Sequence, residues 1–175
     1  MKLLYVITGL HRGGAEGQLL EVVTRMQRRG HQVEVVSALP ASGYAEDIRA
    51  LGIPVHSLEI PLGRLSPRAL PRLARLIWRM RPDVVHSFMV HSNLLTRVVR
   101  LAAPRHALVN TALGISESRT PDDSSRPREL AYTATDWLSD ATTQVSRNCA
   151  DHYVRLRAVP QRKMKVIPVG VDASR

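Results

Sequence analysis

Runs of apolar residues alternate along the chain with segments in which apolar residues recur every three or four positions. The apolar runs predict strands, and the periodic segments predict helices. Strands are predicted at 2–8, 31–38, 53–60, 82–87, 106–112, 141–146 and 163–169. Helices are predicted at 15–30, 43–52, 66–81, 91–103, 129–140 and 147–157.

The predicted strands are apolar throughout rather than at every second residue, which is typical of strands that are buried on both faces. Together with the alternation of strands and helices, this pattern predicts an α/β fold: a Rossmann-like, doubly wound, mostly parallel sheet of about seven strands. Ligands of such sheets bind at the carboxyl ends of the strands, near the point where the strand order reverses. The longest polar stretch, 114–128, is predicted to be a mobile loop at that edge.

Composition narrows the range of functions. The 175 residues, 44% of them hydrophobic, suffice for one buried core and are few for two domains. Cys149 is the only cysteine, so no intrachain disulfide can form and a reducing compartment such as the cytoplasm is expected. No apolar run has the length of a transmembrane helix. The net charge of +10 favours phosphate-bearing partners, which include nucleotides, anionic lipid and nucleic acid.

A glycine-rich turn, GLHRGGAEG, connects the first predicted strand to the first helix. Gly9 and Gly14 have the spacing of a P-loop, but Ala15 and Glu16 stand where the lysine and hydroxyl residue would be required. The dinucleotide fingerprint G-x-G-x-x-G is absent because Gly13 and Gly14 are adjacent, and no acidic residue follows the second strand to hold a ribose. These absences disfavour an NTPase and an NAD site. A Gly-Gly pair that opens a helix can still present backbone N–H groups to a ligand, and a turn required only for packing is the alternative.

Two histidines lie at the predicted functional edge. His86 is just inside the end of the fourth strand, and His91 lies beyond it, beside Ser92 and Asn93 at the start of a helix. A histidine in this place can act as a general base, orient a sugar hydroxyl or contact a phosphate oxygen. We predict a functional role for His91, whereas a hydrogen-bonded structural role explains His86 equally well. No metal site is predicted, because no third ligand is near the histidines and no D-x-D pair occurs.

Four arginines follow one face of the third predicted helix, and apolar residues follow another. The arginines are Arg68, Arg72, Arg75 and Arg79, and the apolar residues include Leu73, Ile77 and Met80. Packing against the sheet explains the apolar face. The basic face can lie against an anionic membrane, and an ordinary solvated face is the alternative. No nucleic acid partner is predicted, because aromatic residues make up 4% of the chain and offer no stacking platform.

Four segments together resemble a known family of enzymes. GGAEGQLLEVVTRMQRRGHQVEVVS, RPDVVHSFMVHSNLLTRV, DATTQVS and VIPVGVD follow one another in the order and spacing of N-terminal domains of GT-B glycosyltransferases of the family 4 type. The resemblance implies one of two Rossmann-like domains that face a cleft, in an enzyme that transfers a sugar from a nucleotide-sugar with retention and without a metal or other cofactor. It implies that residues 1–168 form the acceptor-side domain and that 169–175 begin the hinge to a donor domain.

The resemblance also implies roles for individual residues. It places Gly13 and Gly14 in the loop that faces the donor diphosphate, and Glu16 at the acidic position of the family's G-G-A-E. Phe88 stands where many members carry the second histidine of H-x-H, so the role of the histidine near the reacting sugar is carried over to His91. The residues expected at the acceptor or cleft edge are Glu16, His86, Asn93 and Thr111.

The resulting expectation is the acceptor-binding domain of a glycosyltransferase that acts on a glycan or lipid-linked acceptor. The family's donor domain, with its E-x7-E motif, would begin after Asp172, so the chain is expected to be an excised domain or half of a split enzyme. Its expected partners are the nucleotide-sugar, the acceptor, and a C-terminal donor domain or a second chain. Its expected location is the cytoplasm, either free or as a peripheral protein on the inner face of the membrane. The alternative is a non-catalytic basic Rossmann-like module that binds an anionic membrane or a partner protein. A nucleotide-dependent epimerase or dehydrogenase fragment is disfavoured by the missing ribose acid.

Overall fold

The computed structural model describes residues 1–61, 66, 68–113 and 125–170, without the side chains of 125–129. Within these residues, seven parallel strands form one sheet in the order β3-β2-β1-β4-β5-β6-β7. The strands are β1 (Lys2–Ile7), β2 (Gln32–Ser37), β3 (Val55–Ser57), β4 (Val84–Phe88), β5 (Ala107–Thr111), β6 (Ala141–Gln144) and β7 (Met164–Val166). The helices are α1 (Gly14–Arg28), α2 (Tyr44–Ala50), α3 (Ala69–Met80), α4 (Val90–Arg100), α5 (Ser125–Thr135) and α6 (Arg147–Arg155). Two short 3-10 helices, Asp136–Leu138 and Gln161–Lys163, follow α5 and α6.

Each predicted strand and helix is present, and the predicted Rossmann-like α/β fold is confirmed. The main difference is the helix predicted at 129–140, which begins at Ser125 and gives way to a 3-10 helix at Asp136. A proline at position 127 does not prevent the earlier start, because the N–H groups of a first helical turn have no acceptor within the helix. Residues 125–128 of the predicted loop are therefore helical, while 114–124 lie outside the described residues.

Both faces of the sheet are covered, because successive side chains of a strand point to opposite faces. On one face, Tyr5, Ile7 and Phe88 belong to a core cluster with residues of α1 and α2. On the other face, Leu4 and Val85 belong to a cluster with residues of α3 and α4. A third cluster joins α4, α5 and α6. The doubly wound arrangement predicted from the uniformly apolar strands is thus the observed one.

The strand order reverses between β1 and β4. The chain winds outward from β1 through β2 and β3 in one direction, and outward from β4 through β5, β6 and β7 in the other. The segments that leave the carboxyl ends of these central strands are 8–13, here called the glycine-rich loop, and the start of α4. A doubly wound sheet opens a crevice at this point, and ligands bind there. Among the described helices, none has the length and apolar composition needed to cross a membrane.

Candidate functional site

The glycine-rich loop delivers the N-terminus of α1 to the crevice. Gly13 precedes the helix with extended backbone (φ −131°, ψ 175°), and Gly14 is its first residue; both are exposed. The first backbone bond of the helix runs from the Gly17 N–H to the Gly13 carbonyl at 2.9 Å, and no side chain caps this end. The N–H groups of the first turn, at Gly14, Ala15 and Glu16, therefore have no acceptor in the described chain. Together with the positive end of the helix dipole, they form an anion-binding end.

The two adjacent glycines differ in their surroundings. A Cβ added to Gly13 would lie 2.5 Å from Oε2 of Glu16, whose side chain is 8% exposed and folds back over the turn. A Cβ added to Gly14 would meet nothing within 4 Å. A side chain at position 13 would require the carboxylate end of the flexible Glu16 side chain to move, whereas position 14 opens onto free space in which a ligand can approach the backbone. Glu16, in the first turn, is also favourably placed for the helix dipole.

Contacts with α2 hold the glycine-rich loop in place. The backbone N–H of Tyr44 donates to the Leu10 carbonyl at 2.8 Å, and the Arg12 guanidinium lies 3.3 Å from the Asp47 carboxylate. Gly43 has a positive φ of 54°, and a Cβ there would lie 2.5 Å from the Leu10 carbonyl oxygen. No other residue fits at position 43 without moving the loop, because both the conformation and the space exclude a side chain.

The other wall of the crevice contains a strained backbone. Met89, between β4 and α4, has φ 73° and ψ 153°, a region that costs a non-glycine residue about 1–3 kcal/mol. Two hydrogen bonds hold it there: its N–H donates to the Thr111 carbonyl at 3.1 Å, and its carbonyl accepts from the Asn93 N–H at 3.0 Å. Strain of this kind concentrates at functional sites. This strain could not be predicted from the sequence, because methionine has no preference for a positive φ.

His91 lies at the rim of the crevice. It is the second residue of α4, its side chain is exposed, and no described residue forms a hydrogen bond with its imidazole. Beside it, the hydroxyl groups of Thr8 and Ser92 are 3.2 Å apart and link the end of β1 to the start of α4. The structure therefore leaves His91 available to a ligand, and its functional role stays a prediction.

His86 is held inside the fold instead. Its ring packs 4.5 Å from that of Phe88 and 5.5 Å from that of Tyr5, and its Nε2 lies 2.7 Å from the Thr111 hydroxyl. That hydroxyl is in turn 2.6 Å from the hydroxyl of Thr143. Burial lowers the pKa of His86 to about 4, so the imidazole is neutral at neutral pH. These contacts match the hydrogen-bonded structural role that the sequence left open for His86.

Asn93 and Thr111, which were expected at the cleft edge, lie beneath it. Their side chains are 0% and 4% exposed. The Asn93 amide accepts from the Ser87 hydroxyl at 2.7 Å, donates to the Thr111 carbonyl at 3.0 Å and contacts the Tyr132 hydroxyl. The two side chains thus contact other residues of the fold rather than the open crevice, and Asn93 links the start of α4 to β5.

A buried arginine of α4 was not predicted from the sequence. Arg97 is 0% exposed and donates to the Asn110 side-chain oxygen at 2.7 Å and to the Tyr132 carbonyl at 3.1 Å, with its guanidinium 4.3 Å from the Tyr132 ring centroid. A carboxylate oxygen of Asp136 lies 3.9 Å away. The available signal was a polar stripe at helical spacing on the side of α4 that faces the sheet. Its buried members are Ser92, Asn93, Thr96 and Arg97.

The basic face of α3 is exposed as predicted. Arg68 immediately precedes the helix, and the apolar residues of the opposite face are buried. The Arg72 guanidinium donates to the Leu58 carbonyl at 3.0 Å, so it also supports the end of β3. The exposed arginines are Arg68, Arg72, Arg75 and Arg79. Contact of this face with a membrane stays a prediction.

In the described part of the chain, no three histidine, cysteine, aspartate or glutamate side chains converge in a way that could hold a metal ion. Asp122 and Asp123 lie outside the described residues, as do 171–175 of the predicted hinge.

The fold is shared with several solved structures. Anabaena HepE in complex with UDP-glucose has a TM-score of 0.76 and 18% identity, over 98% of this chain and 44% of that one. A glycosyltransferase from Rickettsia africae has a TM-score of 0.75 and 17% identity, over 99% and 44%. The UDP-GlcNAc 2-epimerase from Neisseria meningitidis bound to UDP-GlcNAc has a TM-score of 0.64 and 14% identity, over 95% and 45%. The chain thus spans less than half the length of each, and at these identities the likeness establishes the fold alone.

Glycosyltransferases and epimerases share this fold, and a comparison of the amino-acid sequence distinguishes between them. No curated protein matches it. A family model described as Glycosyltransferase Family 4 matches residues 12–175, from the glycine-rich loop to the end of the sequence. The match includes the first turn of α1 and His91, the two features that face the crevice. The chain therefore belongs to glycosyltransferase family 4 and has the Rossmann-like fold found in GT-B glycosyltransferases.

Proposed function

We propose that the chain is the acceptor-binding half of a retaining, metal-independent glycosyltransferase that takes its sugar from a nucleotide-sugar. The acceptor is a glycan or a lipid-linked glycan, and the enzyme works in the cytoplasm, optionally at the inner face of the membrane. The crevice between β1 and β4 carries the proposal, because the free N–H groups of α1 and the exposed His91 both lie there. Family membership and the UDP-glucose bound by Anabaena HepE support it.

The first turn of α1 suits the leaving group of sugar transfer. When the bond between sugar and nucleotide breaks, negative charge develops on the departing diphosphate. Backbone N–H groups and the positive end of a helix dipole stabilise such charge without any rearrangement, because their directions are fixed by the fold. The open space beside Gly14 lets the diphosphate come close to these donors. This arrangement supplies charge stabilisation that does not depend on a metal ion.

His91 is suited to orient the transferred sugar. Its imidazole is exposed and uncommitted, so one ring nitrogen can donate to or accept from a sugar hydroxyl. The strained Met89 and the buried Asn93 fix the backbone on either side of it. A hydrogen bond that strengthens as the sugar reacts contributes to the rate, provided that its direction is fixed in advance.

The rest of the catalytic site comes from a donor domain or a second chain. The chain spans about 45% of the length of its structural neighbours, as expected for one of the two domains that face a cleft. We expect no turnover from this chain alone. Transfer requires that a donor domain close over the crevice and hold the nucleotide.

Replacement of His91 by Ala, in an enzyme with the donor domain restored, tests the proposal. We expect the rate of transfer to fall about a hundredfold, in the range observed for positioned catalytic groups. His31→Ala is the matched control, because His31 precedes β2 at the opposite edge of the sheet. Near-normal turnover of the His91 variant, or an equal loss in the control, would contradict the assignment.

A basic module that docks on an anionic membrane is the second candidate, favoured by the exposed arginines of α3. Arg68, Arg75 and Arg79 form no described hydrogen bond, so their replacement by Gln should leave the fold intact. Flotation of the triple variant with anionic and neutral liposomes separates the two functions. If flotation is lost while transfer in the completed enzyme persists, the basic face serves the membrane alone; if flotation is unchanged, this candidate fails.

A further inference from the structure

A separate pocket of about 230 Å³ opens at the amino edge of the sheet, opposite the crevice. The end of α3 and the segment between α4 and β5 form its walls. Four of its lining residues can contact a polar ligand: Trp78, Arg81, Arg105 and His106. Because the strands of the sheet separate it from the glycine-rich loop, this pocket is independent of the proposed sugar-transfer site.

His106 is buried in this pocket without a hydrogen-bond partner. Its side chain is 6% exposed, and neither ring nitrogen has a partner in the described chain. Burial and the nearby Arg100 lower the pKa of His106 to about 4, against the opposing effect of Asp140. The neutral ring therefore offers one N–H donor. A buried polar group that lacks a partner is costly, and a ligand in the pocket that accepted from the ring would remove that cost.

Positive charge surrounds the pocket without an acidic residue in its lining. Arg81 and Arg105 are exposed and form no described ion pair, and the Arg105 guanidinium lies 5.7 Å from the centroid of the Trp78 ring. The nearby Asp140 is already engaged, 2.9 Å from Arg100 and accepting from the Leu108 N–H at 2.7 Å. The lining of the pocket thus contains two arginines and a buried histidine, and no acidic residue.

The carboxyl end of α3 lies at the pocket, and the negative end of its dipole weakens the binding of an anion there, which the positive charges of the two arginines offset. The indole N–H of Trp78 donates to the Ala102 carbonyl at 3.1 Å, and the Arg81 N–H donates to the Ile77 carbonyl at 2.8 Å. The volume is below the roughly 300–1,000 Å³ of pockets that enclose a drug-sized ligand. A single phosphate group suits it better than a nucleotide does.

We propose that this pocket binds a phosphate group, with Arg81 and Arg105 as charged ligands and His106 as an N–H donor. The phosphate comes either from a soluble phosphate compound or from a lipid headgroup. Leu101, next to these residues in the sequence, is 61% exposed, and Trp78 is 47% exposed. Both would enter the interfacial region if the headgroup belonged to a membrane, since exposed Trp and Leu favour that region.

Titration with inorganic phosphate at constant ionic strength tests the proposal. The chain has two tryptophans, so Trp137→Phe leaves Trp78 as the only fluorescent reporter. We expect a saturable change in fluorescence and a parallel shift of the His106 ring signals in NMR spectra. Arg105→Gln and Arg81→Gln should each weaken binding about tenfold or more, as for hydrogen bonds from charged groups. Because Arg105 lies beside Trp78, its replacement can change the fluorescence in the absence of phosphate, and binding to that variant is therefore followed by the NMR signals.

Arg79→Gln is the matched control, because it removes an equal charge from the same helix without changing the lining of the pocket. The proposal is overturned if phosphate gives no saturable response, or if the control weakens binding as much as Arg105→Gln. Vesicles of phosphatidylcholine with and without phosphatidic acid then identify the source. A lipid headgroup is indicated if the chain binds the phosphatidic acid vesicles, if inorganic phosphate displaces it from them, and if Arg105→Gln weakens the binding. A response to inorganic phosphate without binding to the vesicles indicates a soluble compound.

Discussion

Replacement of Arg97 by Met tests how the fold holds the crevice. Methionine keeps much of the length of the side chain but removes every donor. Arg97 is fully buried, so no water can take over the groups that it leaves behind. These groups are the side-chain oxygen of Asn110, the carbonyl of Tyr132, the hydroxyl groups of Thr135 and Ser139, and one carboxylate oxygen of Asp136.

The expected loss follows from these contacts. A buried acceptor left without a donor costs about 1–3 kcal/mol, and removal of one partner from a buried ion pair costs about 3–5 kcal/mol. Asp136 keeps Lys163, whose Nζ lies 2.9 Å from its other carboxylate oxygen, so the ionic part of the loss is reduced. We expect Arg97→Met to lower the free energy of unfolding by about 3–5 kcal/mol, a large share of the roughly 5–15 kcal/mol of a typical domain.

Urea unfolding followed by circular dichroism measures this loss. With a typical slope of about 2 kcal/mol per molar urea, the midpoint should fall by about 2 M. Arg75→Met is the matched control, since Arg75 is exposed on α3 and its replacement should change stability by less than about 0.5 kcal/mol. A loss below about 1 kcal/mol for Arg97→Met, or equal losses in both variants, would refute the structural role assigned to Arg97.

Two further predictions concern acid and two glycines, Gly14 and Gly43, that lie beside the glycine-rich loop. Stability should fall as the pH decreases from about 6.5 toward 4, because burial lowers the pKa of His86 and His106 from 6.5 to about 4 and the unfolded chain therefore binds protons first. The loss of unfolding free energy approaches about 3 kcal/mol for each histidine. Over this pH range, the free energy of unfolding of the His86→Asn and His106→Asn variants, measured with urea, should therefore depend less on pH than that of the parent. Gly43→Ala should cost about 2 kcal/mol or more, because its φ is positive and the new Cβ would lie 2.5 Å from the Leu10 carbonyl oxygen. Gly14→Ala should be neutral or stabilising by up to about 1 kcal/mol, because the new methyl group enters free space in a helix. Thermal unfolding compares these two variants, and equal losses would contradict the contrast between them.

The strands could be predicted from the sequence because the sheet buries both of its faces. β1, β2 and β4 lie in its interior, and a strand in that place has few polar residues to blur its pattern. β3 and β7 were predicted longer than they are, because an edge strand pairs on one side only and β3 begins just after Pro54, which has no N–H to donate. The predicted apolar pattern could not show where pairing stops.

The candidate site could be predicted only to the level of its edge. The places of His91 and of the glycine pair could be predicted because both lie a few residues beyond a strand end, and that distance can be read from the sequence. The burial of Asn93 and Arg97 depends on which side of α4 meets the sheet and α5, and arginine is among the residues least often buried. Their role is decided by tertiary contacts, which spacing alone does not contain.

The polar stripe of α4 has a consequence for exchange of sequence between members of the family. Asn93 and Arg97 bond to Tyr132, Arg97 lies beside Asp136, and Asp136 bonds to Lys163, so α4 and the segments on either side of β6 depend on one another across the fold. A chimera joined between β5 and α5 would pair each half of this network with a foreign partner. A chimera joined after β3, before α3, would keep it whole. The α4-to-β7 portion is thus expected to be inherited, grafted and evolved as one unit, with His91 carried along at its rim.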